Sequence, residues 1–331
     1  MKNRGQFSGF TIVELLIVIV VIAILAAITI VSYNGITSQA RESVRKSDIA
    51  TWKKQSEVYK VEHDVACPVN YSLVYHNDIL GTNDFCVMKY EAKNDGTGKA
   101  ISEPAGVLWT TISQPNAAAA AVAACDGCHL ITDAEWMALV ADIMTVKYNW
   151  VDGRVGGNTL YTGHNDNMPA EYLAASTDDE DGYYGTGNTY PSNQRRTFYL
   201  HSGDVVWDIA GNLWDRTSGS VTAQPGLLSD DDVDPAQLFW RGWTNPELIY
   251  GDFPEALRPT ALATIPELAD IAQWGEGHGL GGLYSNKNQT RSRMMLRGGS
   301  KANMDHAGVF SLLLNSDPTN AGTSVGFRAA R

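Results

Sequence analysis

Residues 9–31 read GFTIVELLIVIVVIAILAAITIV, and the interpretation of this stretch decides the architecture. From Phe10 to Val31 nearly every residue is apolar, enough to span a bilayer as one helix. One carboxylate, Glu14, sits near its start. A secretory signal has a short apolar core followed by a small-residue cleavage site. Here the basic part, with Lys2 and Arg4, ends at Ser8-Gly9, before the apolar run. Cutting there removes only a leader and leaves the apolar helix on the mature protein. An acid inside such a helix costs about 2.5 to 3.5 kcal/mol on insertion scales and calls for a partner. Cleavage after Gly9 creates one, the new amine of Phe10. Within one chain the amine and Glu14 are about one helical turn apart. Between neighbouring subunits they can pair and set the stagger of a helical bundle.

The junction Gly9-Phe10-Thr11-Ile12-Val13-Glu14 resembles the class III leader junction of type IV prepilins. Glu14 would be fifth in the mature chain, and Tyr33 falls near a tyrosine that pilins often carry. The resemblance covers residues 1–60 or so. It implies a prepilin peptidase that cuts after Gly9 and methylates Phe10, and other pilin subunits as partners through the N-terminal helix. It also implies single-pass residence in the cytoplasmic membrane before assembly, then a cell-surface or pilus location with the rest of the chain extracytoplasmic. The plainer alternative is a single-pass anchor with a chance acid.

The 331 residues, 44% of them hydrophobic, suffice for the anchor and one large or two small globular domains. The net charge of -12 hides an asymmetry: residues 1–60 carry +4 and the remainder -16. An acidic head repels phosphates, so nucleic acid is not expected as a partner. Solubility alone also accounts for such acidity.

Four cysteines, Cys67, Cys86, Cys125 and Cys128, form an even set in a chain expected outside the cytoplasm, so two disulfides are expected among three connectivities. Proximity in sequence favours Cys67 with Cys86 and Cys125 with Cys128. Cys125-Asp126-Gly127-Cys128 also reads as half a zinc site, but no second pair follows. A redox role is weak because the motif ends an Ala-rich helix instead of starting one.

Beyond the apolar stretch, Ile36, Val44, Ile49, Trp52 and Val58 punctuate a polar background, which extends one amphipathic helix to residue 62. From Ala66 the texture changes to short apolar runs, many Gly and Asn, and eight of the nine Trp beyond residue 100. PNAAAAAVAACDG reads as a helix ended by Gly127. ITDAEWMALVADIMTV reads as another, with Thr132 as N-cap and Glu135 completing a capping box. Residues 151–196 read as loops, and strands are expected at FYLHSG, DVVWDIAG, MMLRGGS and VGFRAAR. The chain thus divides into a leader (1–9), a helix (10–62, of which 10–31 span the membrane) and a single head (66–331).

Four pieces of the head, FCVMKYEAKN (85–94), HLITDAEWMALV (129–140), GDVVWDIAGNLWD (203–215) and LRGGSKANMDHAGVFSLLLNSDPTNAGTSVGFRAAR (296–331), occur in an order that resembles the formylglycine-generating-enzyme branch of the C-type lectin-like fold. The resemblance implies an α+β class with a loop-rich lectin-like head. Trp136, Trp207 and Trp214 are then apolar anchors under loops, while Gly211-Asn212 and Gly298-Gly299 make tight turns. Enzymes of that family use cysteines after the RGGS motif to hold copper. Here the segment reads Lys301-Ala302-Asn303-Met304-Asp305-His306 and no cysteine follows Cys128, so an enzyme is not expected. His306 beside Asp305 suggests a base and its orienter, yet adjacent residues do not usually face each other, and a surface histidine is the simpler reading.

What remains is a binding module, since function has to be argued from the site. A frame of Arg297–Ser300, Ala307–Phe310, Pro318 and Gly326–Arg328 surrounds Lys301, Asn303, Met304, Asp305, His306, Leu313, Asn315, Ser316, Asn320, Gly322 and Ser324. That layout resembles the ligand-facing segment of lectin-like proteins diversified by retroelements, and implies that these positions face an unknown protein or glycan. The oxygen-rich loops at 162–167, 177–181 and Asp230–Asp232 with Asp234 suggest a structural Ca2+, without EF-hand spacing; no other cofactor is expected. The expected function is a type IV pilus subunit, minor or tip-located, with a non-enzymatic adhesive head. A pseudopilin of a secretion system is the alternative, and an extracytoplasmic enzyme a more distant one.

Overall fold

The computed structural model describes residues 11–189, 192–221, 227–228, 239–244, 248–249, 253–285 and 292–331. The chain forms two compact units, residues 1–51 and 52–331. Helix α1 runs Ile12–Glu62, and its stretch Ile12–Ile30 is long and apolar enough to cross a membrane, with no residue buried inside the protein. Its length follows from the absence of Pro and the near-absence of Gly over fifty residues.

The last turns of α1, from Trp52, belong to the second compact unit. They dock through residues spaced about one turn apart on one face. The Trp52 ring lies 6.0 Å from that of Tyr148 and 5.6 Å from that of His201. Ser56 is buried, and Tyr59 donates to Asp84 Oδ2 at 2.8 Å and meets Tyr75 edge-on. Of the expected apolar stripe, Val58 is exposed, because the docking face follows Trp52, Ser56 and Tyr59.

The head is a mixture of helices and sheets, as an α+β class requires. Helix α2 (Gln114–Ala124) carries Pro115 in its first turn, where the missing N–H costs nothing. Helix α3 (Asp133–Thr145) begins at a complete capping box, Thr132 Oγ1 accepting from Glu135 N while the Glu135 side chain accepts from Thr132 N. Trp136, Leu139, Val140 and Ile143 of α3 are fully buried, and Trp136 Nε1 donates to Val309 O at 2.9 Å. Trp207 is likewise fully buried and Trp214 nearly so.

A four-stranded sheet has the order Tyr71–Val74, Phe85–Met88, Ala329–Ala330, His129–Leu130, so the end of the chain is inserted between earlier strands. A six-stranded sheet runs Phe239–Gly242, Gly282–Ser285, Leu312–Leu313, Arg293–Arg297, Trp214–Val221, Val325–Phe327. Two of its pairings are parallel, Gly282–Ser285 with Leu312–Leu313 and Val325–Phe327 with Trp214–Val221. The stretch 151–196 contains no helix or strand among its described residues. Both disulfides join the neighbours in sequence, Cys67–Cys86 and Cys125–Cys128. The second follows the end of α2, whose C-cap is Cys125.

Buried charge ties these layers together. Arg196 with Asp208, Arg297 with Asp133 and Arg328 with Asp215 are ion pairs at 2.7, 2.8 and 2.9 Å, each almost wholly removed from water. Glu91 is buried beside them and accepts from Asn212 Nδ2 at 2.6 Å and Leu213 N at 3.1 Å. Burial, reinforced by the Asp208 charge, pushes its carboxyl well above the ordinary range.

Candidate functional site

Two regions carry chemistry. In the N-terminal unit, Gly9 and Phe10 lie outside the described residues. Glu14 is described, and its carboxylate already has partners within the chain. Glu14 Oε2 accepts from Thr11 N and Thr11 Oγ1, both at 2.8 Å, and Glu14 N donates to Thr11 Oγ1 at 3.2 Å. This is the reciprocal geometry of a capping box. The acid that looked unpartnered in sequence is therefore locally satisfied at the helix start.

In the head, the segment after Gly298-Gly299 is the candidate surface. Both glycines have φ of +85°, and a Cβ on Gly298 would lie 2.7 Å from Ile209 O, so only glycine turns the chain here. Ser300 N and Oγ both donate to Asn303 Oδ1 at 2.7 Å. Lys301 to Met304 is then clamped on a second loop: Asn167 N donates to Lys301 O at 2.6 Å, Met304 N to Asn165 O at 2.8 Å, and Asn165 Nδ2 to Met304 O at 2.8 Å. Met304 has φ +51° and is 58% exposed, a conformation that a bulky residue seldom adopts and that clusters at ligand sites. Asp305 is exposed.

His306 is half-buried rather than free on the surface. It stacks on Trp240 with centroids 4.5 Å apart and rings 2° from parallel. Its Nδ1 lies 3.0 Å from Glu276 Oε2, so the nearby carboxylate comes from a distant segment and not from Asp305. Trp240 in turn stacks on Trp214 and tilts against Tyr284.

The second half of the expected set behaves differently. Leu313 is a correction: it is 8% exposed and packs with Trp214, Met294, Leu296 and Val325. It pairs with Leu296 on one side and Tyr284 on the other, so its side chain belongs to the floor of the sheet and not to a ligand face. Asn315, Ser316, Gly322 and Ser324 are partly exposed and Asn320 is exposed. Their backbone carbonyls are used for anchoring: Asn315 O accepts from Arg293, Asn320 O from Arg216, Gly322 O from Thr111 N and Ser324 O from Trp214 N.

Tyr172, which sequence did not single out, joins the two halves. Its ring lies 4.9 Å from Lys301 Nζ; burial raises its pKa, and the Ser324 side chain opposes the rise. Trp240, Tyr284 and Glu276 were missed for the same reason, since they come from other segments. The aromatic run Phe239-Trp240-Arg241-Gly242-Trp243 was the one available signal.

The oxygen-rich loops are otherwise engaged. Asp179 accepts from Lys89 Nζ at 2.6 Å and Trp207 Nε1 at 3.0 Å, and His164 is buried with Nε2 2.9 Å from Pro169 O. Asp230–Asp232 and Asp234 lie outside the described residues. Among the described residues no three His, Cys, Asp or Glu side chains gather as a metal site.

The prokaryotic N-terminal methylation motif matches residues 4–30. Over 61 residues the chain is 35% identical to the type II secretion system core protein G of Pseudomonas aeruginosa, covering 18% of this chain and 43% of that protein. The chain thus spans less than half the length of that curated relative. Its N-terminal segment is of the pilin and pseudopilin type. Among solved structures, the chain is similar to the Major Tropism Determinant U1 variant, with 15% identity and a TM-score of 0.31 over 78% of this chain and 48% of that one. It is similar also to Treponema denticola variable protein 1, with 13% identity and a TM-score of 0.32 over 80% of this chain and 92% of that one. Likeness at these values does not define a fold.

Proposed function

We propose that the chain is a type IV pilus subunit, minor or tip-located, whose lectin-like head binds a surface ligand without catalysis. The observation that carries this reading is the methylation motif leading into the membrane-length helix stretch Ile12–Ile30, fully exposed along its sides. An apolar surface of that size needs lipid or other helices around it. In this reading prepilin peptidase cuts after Gly9 and methylates Phe10, the chain waits as a single-pass membrane protein, and neighbouring subunits then bury α1. Inter-subunit pairing with the Phe10 amine would draw the Glu14 carboxylate away from Thr11. The bulk of the head favours a minor or tip position over the main repeat.

Lys301, Asn303, Met304, Asp305, Asn315, Ser316, Asn320, Gly322 and Ser324, with Tyr172 between them, would face a protein or glycan partner. Diversification of these codons by a retroelement belongs to the same proposal, and sequencing the end of the gene from many cells, with a search for an adjacent template repeat, tests it.

Mass spectrometry of the mature protein and filament imaging test the main reading. A methylated Phe10 terminus, with the protein on surface filaments that are lost on Glu14→Leu, is expected. A mature chain beginning at Met1, normal assembly of Glu14→Leu, or confinement to the envelope would overturn it.

A further inference from the structure

Among the described residues of the head four arginines are fully buried: Arg196, Arg216, Arg297 and Arg328. Three hold an aspartate within 2.9 Å. Arg216 has no carboxylate partner among the described residues. Its NH1 faces Met294 Sδ at 2.7 Å and its NH2 the carbonyl of Asn320 at 3.2 Å, while Nε has no partner at all. A thioether is a weak acceptor. Removing a guanidinium from water without a counter-charge is costly, and an apolar side chain of similar volume would serve the core better.

Its place in the fold suggests what the charge is for. Asp215 and Thr217 turn to the main core, where they meet Arg328 and Asp133. Arg216, between them, faces the opposite side of the sheet with Trp214. Across the strands that side carries Trp240, Tyr284, Leu313, Leu296 and Arg216 in register. Trp240 and Tyr284 are partly exposed. Asn320, which caps NH2, belongs to an exposed turn closed by Asn320 N donating to Asp317 O at 2.9 Å. The carbonyl of an exposed residue thus covers NH2, and that residue belongs to the stretch read as ligand-facing.

We propose that Arg216 is a binding residue for a carboxylate group of the head's ligand, reached when the Asn320 carbonyl moves aside. This rests on the ligand-facing reading of residues 301–324. The under-used edge of the guanidinium is Nε with NH2, the side-on fork that takes both oxygens of a carboxylate. Burial holds the guanidinium pKa down to about 10, which leaves it charged at neutral pH. The acidic chain, net -12, repels polyanions at range. A ligand with a single carboxylate on an otherwise neutral body, such as a sugar acid, fits both facts, and the neighbouring aromatic rings offer it an apolar flank.

The test is titration of the full-length protein in detergent with acetate and glucuronate, against glucose and chloride at matched ionic strength. The readouts are the melting midpoint and the fluorescence of the tryptophans, of which Trp214 shares the face. Both carboxylates should raise the midpoint saturably, glucuronate at lower concentration, and the controls should not. Arg216→Met should melt no lower than wild type without ligand and lose the response. No saturable response in the wild type, or a response retained in Arg216→Met, overturns the proposal. The titration needs no adhesion assay: a saturable carboxylate response in a protein that captures no surface partner would leave Arg216 assigned and remove the adhesive reading alone.

Discussion

Replacing Asp133 by alanine is the sharpest probe of how the head holds its candidate surface in place. Asp133 opens α3 and is 5% exposed. Its Oδ1 accepts from Arg297 Nε at 2.8 Å and its Oδ2 from Thr217 Oγ1 at 2.6 Å. Arg297 immediately precedes the Gly298-Gly299 turn, so the pair ties the start of the candidate surface to the main core. Asp133→Ala leaves a fully buried guanidinium with only the carbonyls of Phe310 and Leu257 at 3.5 and 3.3 Å. Breaking a buried pair on one side costs about 3 to 5 kcal/mol. The lost Thr217 bond adds about 1 kcal/mol, less what Thr217 recovers from Met295 O at 3.2 Å. Together these correspond to a fall in melting midpoint of roughly 7 to 10 °C for a domain of this size. Asp133→Leu with Arg297→Met removes both charges and should recover most of the loss. Thermal unfolding followed by near-UV circular dichroism measures all three proteins. A single variant within about 1 kcal/mol of wild type, or a double variant no better than the single, would refute the account of a charge stranded in the core.

Three further outcomes follow from other contacts. Thr132→Ala removes the acceptor of Glu135 N and should cost about 1 kcal/mol of stability by denaturant unfolding. Gly211→Ala places a Cβ 2.3 Å from His164 O on a residue with φ +78°, and should destabilise by about 2 to 4 kcal/mol, since neither backbone can yield cheaply; a neutral result would mean the 164 and 211 turns do not touch. His201 Nδ1 lies 2.8 Å from Asp142 Oδ1; that bond raises the histidine pKa, burial opposes it, and the net shift is upward. The stabilisation is therefore present below the unfolded value of about 6.5 and is lost as pH rises through the folded value. Melting of the wild type should fall more between about pH 6 and pH 8 than that of His201→Gln, and parallel curves would exclude the coupling.

Local signals in the sequence were read where the physics is local. Thr132 and Glu135 form their capping box because the two partners are three residues apart on one helix turn. The disulfides follow proximity in the chain, and the tight turns at Gly211-Asn212 and Gly298-Gly299 have the positive φ that glycine and asparagine tolerate. Trp136 and Trp207 are buried, as large apolar residues amid loops should be. The burial of Leu313 is not legible in sequence because a two-residue strand has no periodicity of its own. Its burial depends on Leu296 and Tyr284, brought alongside by pairing.

By itself the sequence determined the N-terminal methylation motif, the membrane-length helix with its single acid, the start of α3 and the cysteine pairing. Each depends on residues close together in the chain, whose geometry the backbone sets without help. Only the tertiary structure decided that Glu276 and not Asp305 sits against His306, that Lys301 lies over Tyr172, and that, among the described residues, Arg216 is buried without a carboxylate while Arg196, Arg297 and Arg328 each have one. Those facts depend on which strands lie next to each other in a sheet, and strand order is a product of long-range packing that no short stretch of sequence contains.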